Sequence, residues 1–471
     1  MRHARAREPD AAGLTILAGI FAVAYVLYGL FRHWRFESSA YDLGIFDQVV
    51  WLLSRFEAPV SSITNHQNIF GDHFHPIIAL WVPLYWVAPA PETLIVAQAL
   101  LLAASIVPVL LFARDRLPRG GAYAVAIAYG LFWGLQSAMA FDVHEVAFAP
   151  LVIATAILAM DRRRWTAFWV CMAVLMVTKE DLIPLVGGFG LCLLVLREWR
   201  RGAMAITISV LSFAVVLGVI MPHFNGSGYA YASAFGSVLQ QPWQLPVVLV
   251  TPIDKLRTVF LWFAPFVFVP LASPLALLVP PLAAERLLSD NPNHWGAAFH
   301  YSLPLAPILA MSAADGLARV GRLVASRRSN LAASRAVMGV SIASVILCAL
   351  LPGQQPLWRL FTPGHYRAVP TQAAGVAALA AIPRDASVVA QSPIVPHLSH
   401  RRDIFMLDSS APEAAYVVYS NALDPWPHAT AEELAAVVAQ RFGRGYAVLF
   451  ERDGWAVLKR ESARVANRTR P

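Results

Sequence analysis

The side chains able to do chemistry are gathered in a few short stretches. The first, YDLGIFDQ from Tyr41, places Asp42 and Asp47 five residues apart. On a helix they would sit about 140° apart, so the two carboxylates do not share a face and cannot act as a dyad. Either is a candidate catalytic base, and Asp42 is equally well placed to cap a helix over 43–54. The second stretch, GDHFHP, supplies Asp72, His73 and His75. In an extended segment the two imidazoles project to one side, as paired ligands from one strand must. With His144 and Glu145 of the stretch FDVHE they make a candidate site for a divalent ion, Zn, Mn or Mg. The competing reading is a set of loops whose imidazoles hydrogen-bond to their neighbours. Arg286 has the forked donors, and Lys179 the point charge, to hold a phosphate. Glu180, Asp290 and His294 complete the candidate substrate- and phosphate-binding set. Each cation also has an acid beside it in sequence, Glu285 for Arg286 and Glu180 or Asp181 for Lys179, so local pairing is the alternative.

These stretches must be held by apolar elements, because the 471 residues are 58% hydrophobic and only 14% charged, with a mean hydropathy of +0.55. That composition excludes an ordinary soluble globule and places the chain among integral membrane proteins. The net charge of +8 does not suggest nucleic acid, since Lys and Arg come as short clusters between apolar runs. Apolar runs near 12–31, 91–113, 121–140, 146–160, 165–178, 182–196, 203–221, 257–271, 272–284, 300–317 and 334–351 predict about eleven membrane helices. The stretch 77–90 is expected to be re-entrant or interfacial. With a cytoplasmic N-terminus, this layout puts the arginine clusters at 2–7, 114–119, 162–164, 197–201 and 319–328 on one face, as the positive-inside rule requires. Of the thirteen histidines, only His3 then falls on the cytoplasmic side. The basic start before the first apolar run is read as the flank of an uncleaved first helix. A single helix over 165–199 would be about 50 Å long, so a turn at Lys179-Glu180-Asp181 is predicted, recessed where ionisable groups are costly.

Three cysteines, Cys171, Cys192 and Cys348, lie in apolar runs without paired spacing and read as small buried hydrophobes. After Leu351 the pattern changes to short alternating runs and one helical stretch, ending in two strand-like runs around Asp453-Gly454. The expected architecture is mainly α: a polytopic transmembrane bundle over 1–351 whose outer loop 32–76 carries the main motifs. A small extracytoplasmic α/β domain over 352–463 and a disordered tail over 464–471 follow.

Taken together, YDLGIFDQVVW, GDHFHP, FDVHE, TKED and ERLLSDNPNHW resemble a family of predicted multi-pass bacterial membrane proteins of unknown function. That family is in turn distantly similar to the GT-C superfamily of membrane glycosyltransferases. The resemblance implies a cytoplasmic-membrane enzyme that takes a sugar from a polyprenyl-phosphate donor at the outer face and passes it to a cell-envelope acceptor. It also implies that Asp42 is the acidic residue activating the acceptor, that Lys179 and Arg286 serve the phosphate, and that Asp72, His73, His75, His144 and Glu145 bind metal or orient the sugar. Many superfamily members carry adjacent acids in this loop, whereas Asp42 is flanked by Tyr41 and Leu43. The rival readings are a transporter or flippase, and a non-catalytic metal- or ligand-binding membrane subunit. A transporter is expected to carry ionisable groups at the midplane and internal repeats, and the sequence shows acids in outer loops and no repeat.

Overall fold

The computed structural model describes residues 11–461. The basic N-terminal cluster and the expected tail at 464–471 lie outside the described residues. The chain divides into two compact units. The first comprises 1–30, 68–81 and 94–365, and the second 31–67, 82–93 and 366–471. The expected outer loop is therefore split. Its first part groups with the C-terminal segment, and GDHFHP groups with the helices.

The first unit is helical. Among the described residues, five helices are long and apolar enough to cross a membrane: Ala11–Trp34, Pro91–Arg114, Trp199–Asn225, His300–Arg327 and Asn330–Leu350. The other expected spans are shorter or broken. The run 121–140 is two helices, Arg119–Leu131 and Trp133–Ala140, parted at Phe132, whose backbone is extended. In the run 257–271 the α-helix ends at Phe263, a 3-10 turn Ala264–Phe266 follows, and the chain turns through Val267 and Phe268, both at positive φ. Prolines at 265, 270 and 274 remove backbone donors where this second run breaks. The run 165–199 divides as predicted, into Trp165–Thr178 and Ile183–Val195, with a short turn at Glu180–Leu182. The core is a continuous apolar cluster in which Phe112, Phe132, Trp133, Phe168 and Phe189 are fully buried. All three cysteines are buried and free.

The charged loops of this unit sort to its two ends. Arg116 is paired with Asp161 and Asp315, Arg162 with Asp115 at 2.9 Å, Arg163 with Glu198 at 3.3 Å and Arg319 with Asp315 at 2.8 Å. The arginine clusters at 114–119, 162–164, 197–201 and 319–328 therefore meet at one end of the bundle. Trp165–Thr178 and Ala149–Asp161 lead away from that end to Lys179 and to Glu145. The acids and imidazoles collect there.

The second unit holds a five-stranded sheet of β1 (Val388–Ala390), β2 (Ile404–Met406), β3 (Tyr416–Ser420), β4 (Tyr446–Arg452) and β5 (Trp455–Arg460). Their spatial order is β2-β1-β3-β5-β4, with β1 parallel to β2 and β3, and β5 antiparallel to β3 and β4. The β4–β5 turn is the expected two-residue loop, with Asp453 and Gly454 at φ 49° and 81°. Positive φ at both central residues matches the twist of the strands they join. Side chains alternate between two apolar layers. Val388, Ala390 and Val418 face Ala374, Ala378 and Trp455, while Val389, Val417 and Leu458 face Leu434, Val437 and Val438 of the helix Ala431–Phe442. That helix is capped by Thr430, whose Oγ1 accepts from the Glu433 N–H, while the Glu433 carboxylate reaches back to accept from the Ala429 N–H. Helix Ile45–Ser54 belongs to this unit. Its buried Gln48 donates to Ser62 Oγ at 2.8 Å and to the Arg401 carbonyl at 3.0 Å, joining the loop to the C-terminal segment.

Candidate active site

At the acidic end of the first unit, the loop GDHFHP is set by a short helix, Ile69–Asp72, capped by Asn68, followed by extended backbone at His73. Gly71 is required there by a close approach. A Cβ on it would lie 2.9 Å from the backbone nitrogen of Asn225, whose side chain donates to the Gly71 carbonyl at 2.7 Å. The extended backbone presents His73 Nδ1 to Glu180 Oε1 at 2.6 Å, while the Phe74 N–H donates to Glu180 Oε2 at 2.8 Å. Tyr231 lies flat on the His73 ring, with centroids 4.5 Å apart, and donates its hydroxyl to Asp72 at 2.8 Å.

Glu145 is buried at the foot of FDVHE. Gln98, about two turns into the helix that starts at Pro91, fixes that loop by donating to the Asp142 carbonyl at 2.7 Å and accepting from the His144 N–H at 3.0 Å. Glu145 Oε1 lies 3.1 Å from Lys179 Nζ, and its Oε2 lies 3.8 Å from His75 Nδ1. Lys179 is also 3.5 Å from Asp181. The His144 ring packs against that of His300, with centroids 3.7 Å apart and the planes tilted by 34°.

The charges in this network determine one another. These groups lie in the segments between the membrane-spanning helices. Burial disfavours a charge on Lys179, but Asp181, Glu145, Glu180 and Glu285 outweigh it and hold the ammonium well above its usual value. Burial likewise opposes ionisation of Glu145, and Lys179 overrides it, leaving that carboxylate well below its usual range. Glu180 is lowered chiefly by His73 against its own burial, and His73 is raised chiefly by Glu180 against burial. Asp181 goes the other way. Its burial, reinforced by Glu180 and Glu145, outweighs Lys179 and pushes it up to about 6. Its Oδ1 is buried and accepts no hydrogen bond among the described residues. The network is thus built around His73–Glu180 and Lys179–Glu145, with Asp181 as a further carboxylate beside Lys179 and surplus acid around them.

Of the expected metal ligands, Asp72, His73, His75, His144 and Glu145 come into one region but not into one coordination sphere. Among the described residues no group of three or more His, Cys, Asp or Glu is placed to hold an ion. The physical reason is that Asp72 accepts from Tyr231, His73 is turned to Glu180 and Glu145 to Lys179.

Arg286 is buried and does not pair with Glu285 through a salt bridge. Its guanidinium donates to the carbonyls of His294 at 2.7 Å and Gly296 at 2.6 Å and to the Ser302 hydroxyl, and it lies over the Trp262 ring. It therefore fastens the 294–302 loop with the donors expected to hold phosphate. Asp290 accepts from the backbone and hydroxyl of Ser237. His294 packs on Tyr301, and burial, aided by Lys179 and Arg286, lowers it to about 4.

In the second unit, Asp42 does not cap the following helix, whose N-cap is Gly44. It stands in a kinked turn at φ 73° and ψ −100°, half-buried. This is close to a γ-turn, which is rare and strained for a residue with a Cβ. Asp47 is fully buried. It accepts from the hydroxyls of Tyr85 and Ser399 and from His400 Nε2 at about 3 Å. Its two oxygens are already engaged by three protein groups.

Gln98, Tyr231, Ser399 and His400 were not singled out from the sequence. Gln98 carried a signal, as a lone amide inside an apolar run. The others lie in unremarkable contexts and are brought to the acids only by contacts far apart in the chain.

A polytopic helical bundle with a buried acid, lysine and histidine network at one end, and a small mixed-sheet unit, define a membrane protein of the GT-C-like fold. The chain belongs to the family described as predicted membrane protein DUF2079, whose profile matches residues 32–457. It is similar to the crystal structure of ArnT from Cupriavidus metallidurans bound to undecaprenyl phosphate, with a TM-score of 0.53 and 14% identity over 96% of this chain and 99% of that one. The apo form of the same protein gives a TM-score of 0.54 and 15% identity over 96% and 98%. The Archaeoglobus fulgidus oligosaccharyltransferase gives 0.47 and 12% over 88% and 70%. No match was found among curated proteins.

Proposed function

We propose that the protein is a glycosyltransferase of the cytoplasmic membrane, moving a sugar from a polyprenyl-phosphate donor to a cell-envelope acceptor at the outer face. The observation that carries this reading is the end-to-end likeness of fold to a protein crystallised with undecaprenyl phosphate. At these identities the likeness speaks for architecture, and the activity is our inference from it. The acidic end of the bundle is the proposed outer face, since the arginine clusters gather at the opposite end.

Asp42 is the proposed general base. Its strained backbone in a half-exposed turn supports this assignment, because such strain persists where the surroundings enforce it and collects at functional sites. A base within reach of an acceptor hydroxyl would raise its nucleophilicity as the sugar–phosphate bond breaks. Asp47, with its oxygens engaged, is a structural anchor in this reading. Lys179 is the counter-ion that fixes Glu145 and Asp181, since a phosphate beside it would meet more negative than positive charge. A transporter remains the second reading, favoured by one observation. Asp181, raised and with an unpartnered oxygen, is the kind of group that carries a proton.

The test uses the full chain in lipid nanodiscs with radiolabelled polyprenyl-phosphate sugars. Donor consumption is expected in the wild type, with a loss in Asp42→Asn on the order of 10²–10⁴-fold and retained binding of undecaprenyl phosphate. A wild type that neither binds undecaprenyl phosphate nor consumes any donor would sink the reading. Movement of donor across vesicles without sugar transfer would favour the transporter.

A further inference from the structure

The second unit contains a cleft of about 550 Å³ that none of the groups above uses. It opens beyond the carboxyl end of β2, between Met406 and the Asp408–Ser410 turn on one side and the first turns of helix Ala431–Phe442 on the other. Crevices at the carboxyl ends of parallel strands are where open α/β sheets hold ligands, and the volume falls in the range of small-molecule sites. Tyr41, the residue preceding Asp42, contributes to the lining. Its ring meets that of Trp426 edge to face, with centroids 5.3 Å apart, and both rings are exposed.

The lining chemistry narrows the ligand. It contains the carboxylates of Asp408 and Glu433, the hydroxyls of Ser409 and Ser410 and the imidazole of His428, and no Lys or Arg. Asp408 Oδ1 accepts from the Ser410 N–H and hydroxyl, and Glu433 Oε2 accepts from the Ala429 N–H. Their second oxygens make no hydrogen bond among the described residues. His428 donates Nε2–H to the Leu407 carbonyl at 3.0 Å, which leaves Nδ1 as an acceptor. Acceptor atoms ringing the cavity suit a ligand rich in hydroxyl donors, and exposed aromatic faces at the rim suit the C–H faces of a sugar ring. Two carboxylates in a lining that carries no Lys or Arg disfavour a phosphate.

We propose that this cleft binds a saccharide carrying no negative charge, and that it holds the acceptor rather than the anionic donor. The word acceptor rests on the transferase reading. The ligand class does not. Tyr41, which lines the cleft, directly precedes Asp42 in the chain.

The experiment uses the full chain in nanodiscs and a panel of maltotetraose, mannotetraose and chitotetraose, with tetragalacturonate as the anionic counterpart. Saturation-transfer NMR reads binding, and the thermal unfolding midpoint, followed by a thiol-reactive dye at the buried cysteines, reports an intact fold in the same samples. At least one neutral tetrasaccharide should bind and tetragalacturonate should not. Trp426→Ala should weaken binding by about tenfold or more, the loss expected for one good contact. Asp408→Asn, which keeps the turn to Ser410, should weaken it as well. The proposal is overturned if no neutral saccharide binds, if tetragalacturonate binds as well, or if binding is untouched in both folded variants. Saccharide binding without donor turnover would leave the cleft assignment standing and count against the transferase. Donor turnover without saccharide binding would do the reverse.

Discussion

Replacing Glu145 with Gln tests whether the Lys179 network is an electrostatic unit. The carboxylate and ammonium are 3.1 Å apart, with side chains 3% and 8% exposed. At an effective dielectric of about 20 their attraction is roughly 5 kcal/mol, and breaking a buried pair typically costs about 3–5 kcal/mol. Asp181, 3.5 Å from the same nitrogen, with Glu180 and Glu285 nearby, still compensates Lys179 in the variant. The lower figure, about 3 kcal/mol, is therefore expected. At roughly 2 °C per kcal/mol for a large domain, this is a fall of about 6 °C in unfolding midpoint. Cys171, Cys192 and Cys348 are all buried and free, so a thiol-reactive fluorogenic dye reads unfolding in detergent without an added label. Lys179→Met alone should cost more, because it leaves Glu145, Glu180, Asp181 and Glu285 with no lysine among them. The double variant should be more stable than the sum of the singles implies, by about 0.5–3 kcal/mol. A Glu145→Gln midpoint within about 1 °C of wild type, or strictly additive singles, would refute the reasoning.

Three further outcomes follow from the same geometry. Asp181 is raised to about 6 from an ordinary 3.8, so the folded state holds its proton more tightly than the unfolded one. Stability should then fall as pH rises from about 4 to 6, by up to about 3 kcal/mol, and stay low above that range. Asp181→Asn should flatten this slope and raise the midpoint at pH 7.5, and a lower midpoint there would contradict the assignment. Gly71→Ala should lower the midpoint by an amount equivalent to about 1–3 kcal/mol, because its Cβ meets the Asn225 backbone and not a flexible side chain. An unchanged midpoint would show that the loop yields. Asp42→Gly should relieve about 1–3 kcal/mol of backbone strain and so raise the midpoint while abolishing sugar transfer. Loss of stability would mean that the turn is not strained.

The parts of the structure legible in sequence were those with a local cause. The Lys179 turn was forced because 165–199 is too long for one span. The Asp453-Gly454 hairpin was fixed by two residues that tolerate positive φ, and the arginine clusters sorted to one end because charge cannot sit along a lipid-facing helix. Local reasoning failed where partners are distant. Lys179 has acids at the next two positions, yet its nearer carboxylate partner is Glu145, 34 residues earlier. Arg286 follows Glu285 directly and instead donates to two carbonyls and a hydroxyl. Asp47 and Gln48 are tied to Ser399, His400 and Arg401 about 350 residues later, so the loop after the first span folds with the C-terminal segment. No composition shift marks that union. It is set by one buried carboxylate and one buried amide that need partners their own helix cannot supply. The same need accounts for Asp42. A turn held between such anchored neighbours can be kept in a strained conformation, and the strain is the strongest sign in this chain that one particular acid is positioned for use.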